Sequence, residues 1–188
     1  MASPVHVLGF SGSLRKASFN SGLLRAAQAV LPERTTLEIF DLAPIPLFNQ
    51  DLADSGAVPE PVLAFKTRIA AADALLIATP EYNYSFTGVL KNALDWASRP
   101  VADSPLSGKP VALIGAGGAM GTSRAQLHLR QVAVATSMLP LSKPELAVQS
   151  AVKKFDADGN LADEPTRERL RALLEALAAW TRRLRGDG

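Results

Sequence analysis

Two short runs of the chain are apolar without interruption, and they constrain the fold more than any other feature. Residues 74–78 and 111–114 carry no polar side chain, so each run predicts a strand covered on both faces. Runs of this kind alternate with segments of helical periodicity. The predicted strands are 5–10, 37–42, 74–78, 111–114 and 145–148, and the predicted helices are 19–31, 59–72, 86–98, 121–138 and 165–184. This alternation predicts an α/β protein whose parallel sheet has helices on both faces.

Composition narrows the functional classes. A length of 188 residues fits one domain, 1–188, with a core of its own. The chain has no cysteine, which excludes disulfides, thiolate metal ligands and a thiol nucleophile, so electron transfer would need a cofactor. A net charge of +2 gives no reason to expect nucleic acid as a partner. No signal peptide or run of about 18 apolar residues is present, and we therefore expect a cytoplasmic protein that does not bind membranes.

The junction between the first strand and the first helix is rich in small and hydroxyl residues. It reads Ser11, Gly12, Ser13, Leu14, Arg15, Lys16, Ala17, Ser18, Phe19 and Asn20. A helix N-terminus offers unpaired N–H groups and partial positive charge, and the serines, Asn20 and Arg15 add donors, which together favour a phosphate monoester. The alternative is an ordinary helix cap formed by Ser18 or Asn20. The glycine patterns of P-loops and dinucleotide sites are both absent.

The junction after the third strand is aromatic. It reads Pro80, Glu81, Tyr82, Asn83, Tyr84, Ser85, Phe86, Thr87 and Gly88, and it contains both tyrosines of the chain. A flat amphipathic ring suits such a loop, because aromatic side chains stack on it and backbone groups bind its polar edge. The alternative is that Tyr84 and Phe86 pack against the helix that follows.

The junction after the fourth strand is glycine-rich but does not match a dinucleotide fingerprint. It reads Gly115, Ala116, Gly117, Gly118, Ala119, Met120 and Gly121, with Met120 where the fingerprint needs glycine or alanine. Such a loop lets a ligand lie against bare backbone. With strand order 2-1-3-4-5, all three junctions meet at the carboxyl edge of the sheet, where ligands bind. A phosphate at the first junction and a flat ring at the second and third junctions is the arrangement that FMN would need.

These motifs carry a family resemblance. The first and second junctions, followed by Leu90, Lys91, Asn92, Ala93, Leu94, Asp95 and Trp96, resemble the NADPH-dependent FMN reductase family and its quinone and chromate reductase branch. The resemblance implies a flavodoxin-like three-layer α/β/α fold with five parallel strands. It also implies an NAD(P)H-dependent enzyme that passes hydride through bound FMN to a quinone, a flavin, an azo dye or a metal oxyanion.

The resemblance assigns residues as well. Those around the phosphate and the isoalloxazine ring would be Ser11, Ser13, Arg15, Ser18, Phe19, Asn20, Pro80, Glu81, Tyr82, Asn83, Gly117 and Gly118. The third junction lacks the hydroxyl that relatives often carry, so its contact would be through backbone. Relatives commonly form dimers or tetramers, and residues 124–131 resemble the segment they use. No metal ligand and no dedicated catalytic acid or base is predicted.

The sequence allows more than one interpretation of the NADPH contact, of residues 156–160 and of the class of function. One site visited in turn by NAD(P)H and acceptor would give ping-pong kinetics. Arg15, Arg99 and Lys109 are all candidates to pair with the NADPH 2′-phosphate, and His128 is expected to have no catalytic role. Residues 156–160 resemble part of a calcium loop but favour a turn, since the bidentate glutamate is missing. The alternative functions are a flavodoxin-type electron carrier, which would usually be acidic, and a protein that only binds a nucleotide or another subunit.

Overall fold

The computed structural model describes residues 3–187. Its strands are β1 (Val5–Ser11), β2 (Thr35–Phe40), β3 (Ala74–Ala78), β4 (Pro110–Ala116), β5 (Leu139–Pro140) and β6 (Leu146–Val148). Its α-helices are α1 (Phe19–Ala29), α2 (Gln50–Asp54), α3 (Glu60–Ala71), α4 (Gly88–Ala97), α5 (Ser123–Ala135) and α6 (Glu164–Arg185). Short 3₁₀ turns follow α4 and β6, at Val101–Asp103 and Ala151–Lys153.

The strands form one parallel sheet in the order β2-β1-β3-β4-β5, with β6 also paired to β4. This confirms the predicted order 2-1-3-4-5 and the flavodoxin-like fold. The fifth position is divided, because β5 pairs with the amino end of β4 and β6 with its carboxyl end. The Leu139 and Leu141 N–H groups donate to the Lys109 and Val111 carbonyls, both at 2.8 Å, and the chain then leaves β4 until it pairs again at Leu146. The prediction of five strands was therefore one short.

Two hydrophobic cores cover the two faces of the sheet. One packs α1 and α6 against it, and the other packs α3, α4 and α5. All five residues of β3 are buried, as its unbroken apolar run predicted. None of the helices within residues 3–187 combines the length and apolar character that crossing a bilayer requires.

Most predicted bounds differ from the observed ones by one to three residues, and two of the differences have clear local reasons. β2 ends at Phe40 rather than at residue 42, because the Asp41 carboxylate accepts a hydrogen bond from the Ala43 N–H (2.9 Å) and turns the chain. α5 is shorter than predicted at both ends. Gly121 and Ser137 have φ of +61° and +56°, which are left-handed values that no α-helix contains.

The long loop at residues 43–59 is anchored to α4. Asn92 accepts a hydrogen bond from the Phe48 N–H (2.7 Å) and donates one to the Pro46 carbonyl (2.8 Å). One turn later, Trp96 Nε1 also donates to the Pro46 carbonyl (2.9 Å), and its ring contacts that of Phe48. The Asn92 and Trp96 positions of the family motif therefore hold this loop, which also contains the unpredicted helix α2.

The turn predicted at residues 156–160 is present. Gly159 adopts φ of +76°, and its carbonyl accepts a hydrogen bond from the Arg25 guanidinium (3.2 Å). The same guanidinium donates to the Asn160 side chain (2.9 Å) and to the Asp158 carbonyl. Arg25 therefore joins the turn to α1, and the Asp156 carboxylate accepts hydrogen bonds within the turn from the Asn160 N–H (2.8 Å) and the Asn160 side-chain amide (3.2 Å).

Candidate functional site

A cavity of about 410 Å³ opens at the carboxyl ends of β1, β3 and β4. Its size is in the range of small-molecule sites, and its position is the one at which α/β sheets bind ligands. The lining residues are Ser13, Arg15, Ser18, Phe19, Asn20, Pro80, Glu81, Tyr82, Ala116, Gly117, Gly118, Ser150, Ala151, Val152 and Lys153. All the residues predicted from the sequence are among them except Ser11 and Asn83.

The first turn of α1 forms one end of the cavity. Ser18 is the N-cap, and its hydroxyl accepts a hydrogen bond from the Ser21 N–H (3.3 Å). The N–H groups of Phe19 and Asn20 make no hydrogen bond within residues 3–187. The cap and the anion site are therefore compatible, since the Ser18 hydroxyl hydrogen and two N–H groups remain available to an anion.

Ser11 and Arg15 shape this loop. The Ser11 hydroxyl accepts a hydrogen bond from the Ser13 N–H (3.1 Å), and Ser11 is not among the lining residues. Arg15 donates to the Ala17 carbonyl, and its guanidinium lies 4.9 Å from the centre of the Phe19 ring. Phe19 therefore holds the cation of Arg15 at the edge of the cavity.

Asn20 connects the first loop to β4. Its side-chain amide donates to the Ala116 carbonyl (3.1 Å) and accepts from the Ala116 N–H (2.9 Å), and the residue is 3% exposed. The predicted phosphate contact of Asn20 is thus left to its backbone N–H, because its side chain satisfies the end of the neighbouring strand.

The second loop ends in a tight turn. Tyr82 and Ser85 exchange two backbone hydrogen bonds (2.9 and 3.0 Å), and the two residues between them, Asn83 and Tyr84, have φ of +49° and +69°. Two consecutive positive φ values are the pattern of a type I′ turn, which asparagine tolerates and tyrosine rarely adopts. Tyr82 faces the cavity and is 57% exposed, whereas Asn83 lies at the tip of the turn, away from the lining.

Glu81 lines the cavity, but its carboxylate contacts α5. The carboxylate accepts hydrogen bonds from the N–H groups of Arg124 (3.0 Å) and Ala125 (3.2 Å) and forms an ion pair with the Arg124 guanidinium. Hydrogen bonding to Glu81 raises the pKa of Arg124 above its usual value. The guanidinium also lies 3.7 Å from the centre of the Tyr84 ring.

The third loop and the segment that follows β6 form the remaining wall. The Ser150 and Ala151 N–H groups donate to the carbonyls of Gly118 and Gly117, both at 2.9 Å. These bonds place residues 150–153 along the glycine loop, with Val152 80% exposed. The sequence did not predict that residues 150–153 and Ala116 line the cavity. The signal available was the position of residues 150–153 directly after a parallel strand.

Comparison with known proteins identifies the family. A sequence model described as NADPH-dependent FMN reductase matches residues 5–153. The chain belongs to this family. An NAD(P)H-dependent FMN reductase of Pseudomonas aeruginosa is 51% identical over 187 residues, covering 99% of this chain and 100% of the relative. An NADPH:quinone oxidoreductase of Arabidopsis thaliana is 46% identical, covering 97% of this chain and 94% of the relative.

A solved structure agrees with these relatives. The flavoenzyme NAD(P)H:(acceptor) oxidoreductase FerB of Paracoccus denitrificans superposes with a TM-score of 0.86 at 36% identity, covering 95% of this chain and 98% of that one. The predicted family, its fold and the class of flavin-dependent oxidoreductase are thereby confirmed.

The cavity fits the FMN that the family name implies. One end offers hydroxyl and N–H donors at a helix N-terminus, which suit a phosphate. The other end offers the Tyr82 ring and the glycine backbone. A Cβ at Gly118 would meet no atom within 4 Å, so the wall there borders open space, whereas one at Gly117 would lie 2.4 Å from the Gly121 carbonyl oxygen. Within residues 3–187, no cluster of His, Asp or Glu is placed to hold a metal ion.

Two of the three candidate cations for NADPH lie outside this site. Lys109 precedes β4, at the edge of the sheet opposite the cavity, and donates to the carbonyls of Ala70 (3.1 Å) and Ala72. Burial lowers the pKa of Lys109. Arg99 follows α4 and lines a separate cavity together with Lys91 and Asp95. Arg15 lines the cavity, and Lys153, which the sequence did not single out, lines it too.

Proposed function

We propose that this chain is an FMN-dependent NAD(P)H oxidoreductase that reduces quinone-like acceptors. The observation that carries the proposal is the combination, in one cavity, of a free helix N-terminus and a bare glycine wall faced by an exposed tyrosine. The relatives named as FMN and quinone reductases support it. The sequence is consistent with one FMN-binding domain at 1–188.

The residues around the cavity would bind the FMN and orient its ring. Ser13, Ser18 and the first turn of α1 would hold the phosphate, with Arg15 as counter-charge. Tyr82, Pro80 and the Gly117–Gly118 backbone would flank the ring and leave one face accessible. Bound there, FMN would supply two-electron chemistry: a hydride from the nicotinamide brings two electrons and one proton, and one further proton from solvent would complete the reduction of a quinone to a quinol.

An open ring face would serve both reactants in turn, which supports a ping-pong scheme. The proposed acceptors are quinones first, then free flavins, azo dyes and metal oxyanions such as chromate. Parallel lines in double-reciprocal plots at several acceptor concentrations are the expected result, and intersecting lines would contradict the scheme.

We also propose a homodimer or homotetramer in the cytoplasm. The outer face of α5 supports the assembly, since Leu127 and Val134 are 60% and 80% exposed there. His128 lies on the same helix, hydrogen-bonded to the Ser85 hydroxyl (2.9 Å) and outside the cavity lining, which supports the expectation that it is not catalytic. Light scattering of the purified protein would measure the mass. A monomer of 19.9 kDa would contradict the proposal.

Anaerobic stopped-flow absorbance tests the central activity. The FMN-loaded protein is mixed with NADPH or NADH, and the reduced protein is then mixed with a quinone. The proposal predicts loss of flavin absorbance in the first step and its rapid return in the second. Bound flavin that NAD(P)H does not reduce would favour an electron carrier, although the net charge of +2 argues against that class. If the protein does not bind FMN, the result would favour the other alternative, a protein that only binds a nucleotide or another subunit.

A further inference from the structure

The first turn of α5 takes its cap from another part of the chain. Thr122, the residue before the helix, makes no side-chain cap bond. Glu81 supplies the acceptor instead, because its carboxylate binds the N–H groups of Arg124 and Ala125. The Glu81 side chain is 6% exposed, and its negative charge lies where the helix dipole favours it.

The same carboxylate is joined to the turn of the second loop. It pairs with the Arg124 guanidinium, which lies over the Tyr84 ring. Tyr84 has φ of +69°, a conformation that a bulky residue keeps only where its surroundings hold it. Tyr82 begins this turn and is paired with Ser85 across it. A continuous set of contacts therefore runs from Glu81 through Arg124 and Tyr84 to the residue that faces the cavity.

We propose that Glu81 is a positioning residue: it fixes the turn at residues 82–85 against the first turn of α5 and so holds Tyr82 in place beside the flavin. The Glu81 carboxylate acts through Arg124 and makes no contact of its own with FMN, although the residue lines the cavity. The inference rests on the proposed FMN function, and the tests below separate the failure of one from the failure of the other.

The chain provides a direct readout of the turn. Its two tyrosines are Tyr82 and Tyr84, so protein labelled with fluorinated tyrosine has two ¹⁹F resonances, both from this loop. Tyr82→Phe and Tyr84→Phe assign them. In the protein without FMN, Glu81→Ala and Arg124→Gln should shift or broaden both resonances. Glu168→Ala is the matched control, because it removes a carboxylate paired with Arg171 (2.5 Å) on α6, and it should leave both unchanged.

Binding of FMN provides the second readout. Glu81→Ala should weaken FMN binding about three- to thirtyfold, as expected when a helix cap that also orders a binding loop is lost. Glu81→Gln keeps an oxygen for the helix N–H groups but loses the charge, so its effect should be smaller. If Glu81 acts through Arg124, the double variant Glu81→Gln/Arg124→Gln binds FMN no more weakly than the worse single variant.

The ¹⁹F spectra and the FMN affinities together can refute the proposed role of Glu81. Weakened FMN binding with unmoved tyrosine resonances would mean that Glu81 contacts FMN directly, and would refute the inference. Shifted resonances with wild-type FMN affinity and reduction rate would also refute it, since the position of the turn would not matter. If Glu81→Ala does not fold, Glu81→Gln decides by the same two measurements. Wild-type protein that binds no FMN refutes the proposed function and this inference together.

Discussion

Replacing Asn20 with alanine tests whether its side chain serves the fold or the ligand. The amide makes two buried hydrogen bonds to the backbone of Ala116, which is itself 2% exposed. Alanine would leave a buried N–H and a buried carbonyl unsatisfied, at about 1–3 kcal/mol for each. The better helix propensity of alanine offsets about 0.5 kcal/mol of this. We expect the free energy of unfolding of the FMN-free protein to fall by about 2–5 kcal/mol.

Urea unfolding of the FMN-free protein, followed by circular dichroism, measures this change. Asn92→Ala is the matched control, because Asn92 makes the same pair of bonds, to Phe48 and Pro46, in a partly exposed place. Water can replace those bonds, so we expect a loss of about 1–2 kcal/mol and unchanged FMN affinity. Asn20→Ala with wild-type stability but weakened FMN binding would refute the reasoning, since the amide would then serve the phosphate.

Four further changes test other parts of the account. Arg15→Ala should weaken FMN binding on the order of tenfold or more by fluorescence titration, as for a charge-assisted hydrogen bond, and an unchanged Kd would remove Arg15 from the site. Tyr82→Ala should leave FMN-free stability within about 0.5 kcal/mol and slow flavin reduction, and the reverse pattern would make Tyr82 structural. Gly22→Ala should abolish folding or expression, since a Cβ there would lie 1.8 Å from the Gly159 carbonyl oxygen, and a wild-type melting point would contradict that packing. Hydrogen bonding from Thr166 lowers the pKa of Asp163. The stability that the Asp163 carboxylate gives to α6 is therefore present above the unfolded-state pKa of Asp163 and is lost as pH falls through the lowered folded-state value. Urea unfolding should show the wild type losing stability relative to Asp163→Asn as pH falls below about 4.

Most of the fold follows from local sequence, because each element has its own periodicity. The unbroken apolar runs of β3 and β4 identify central strands, and the alternation with helices implies parallel order. The division of the fifth position was not predicted. It depends on where the chain leaves and rejoins the partner strand between Leu141 and Leu146, and a pattern within one segment does not show that.

The candidate site was predictable as a set of loops, because parallel strands bring their carboxyl ends to one edge. Its internal contacts were not. Glu81 and Arg124 are 43 positions apart, and Asn20 and Ala116 are 96 apart, so only the folded chain shows that these side chains satisfy backbone groups. Residues 150–153 carry no motif and line the cavity through backbone bonds to Gly117 and Gly118.

A crystal structure of the FMN complex tests the central claim most directly. We expect phosphate oxygens within about 3 Å of the Phe19 and Asn20 N–H groups and the Ser18 hydroxyl. The isoalloxazine ring should lie against Tyr82 and the backbone of Gly117 and Gly118 with one face open, and the Glu81 carboxylate should still bind the first turn of α5. FMN bound outside this cavity, or with its phosphate away from the first turn of α1, would contradict it.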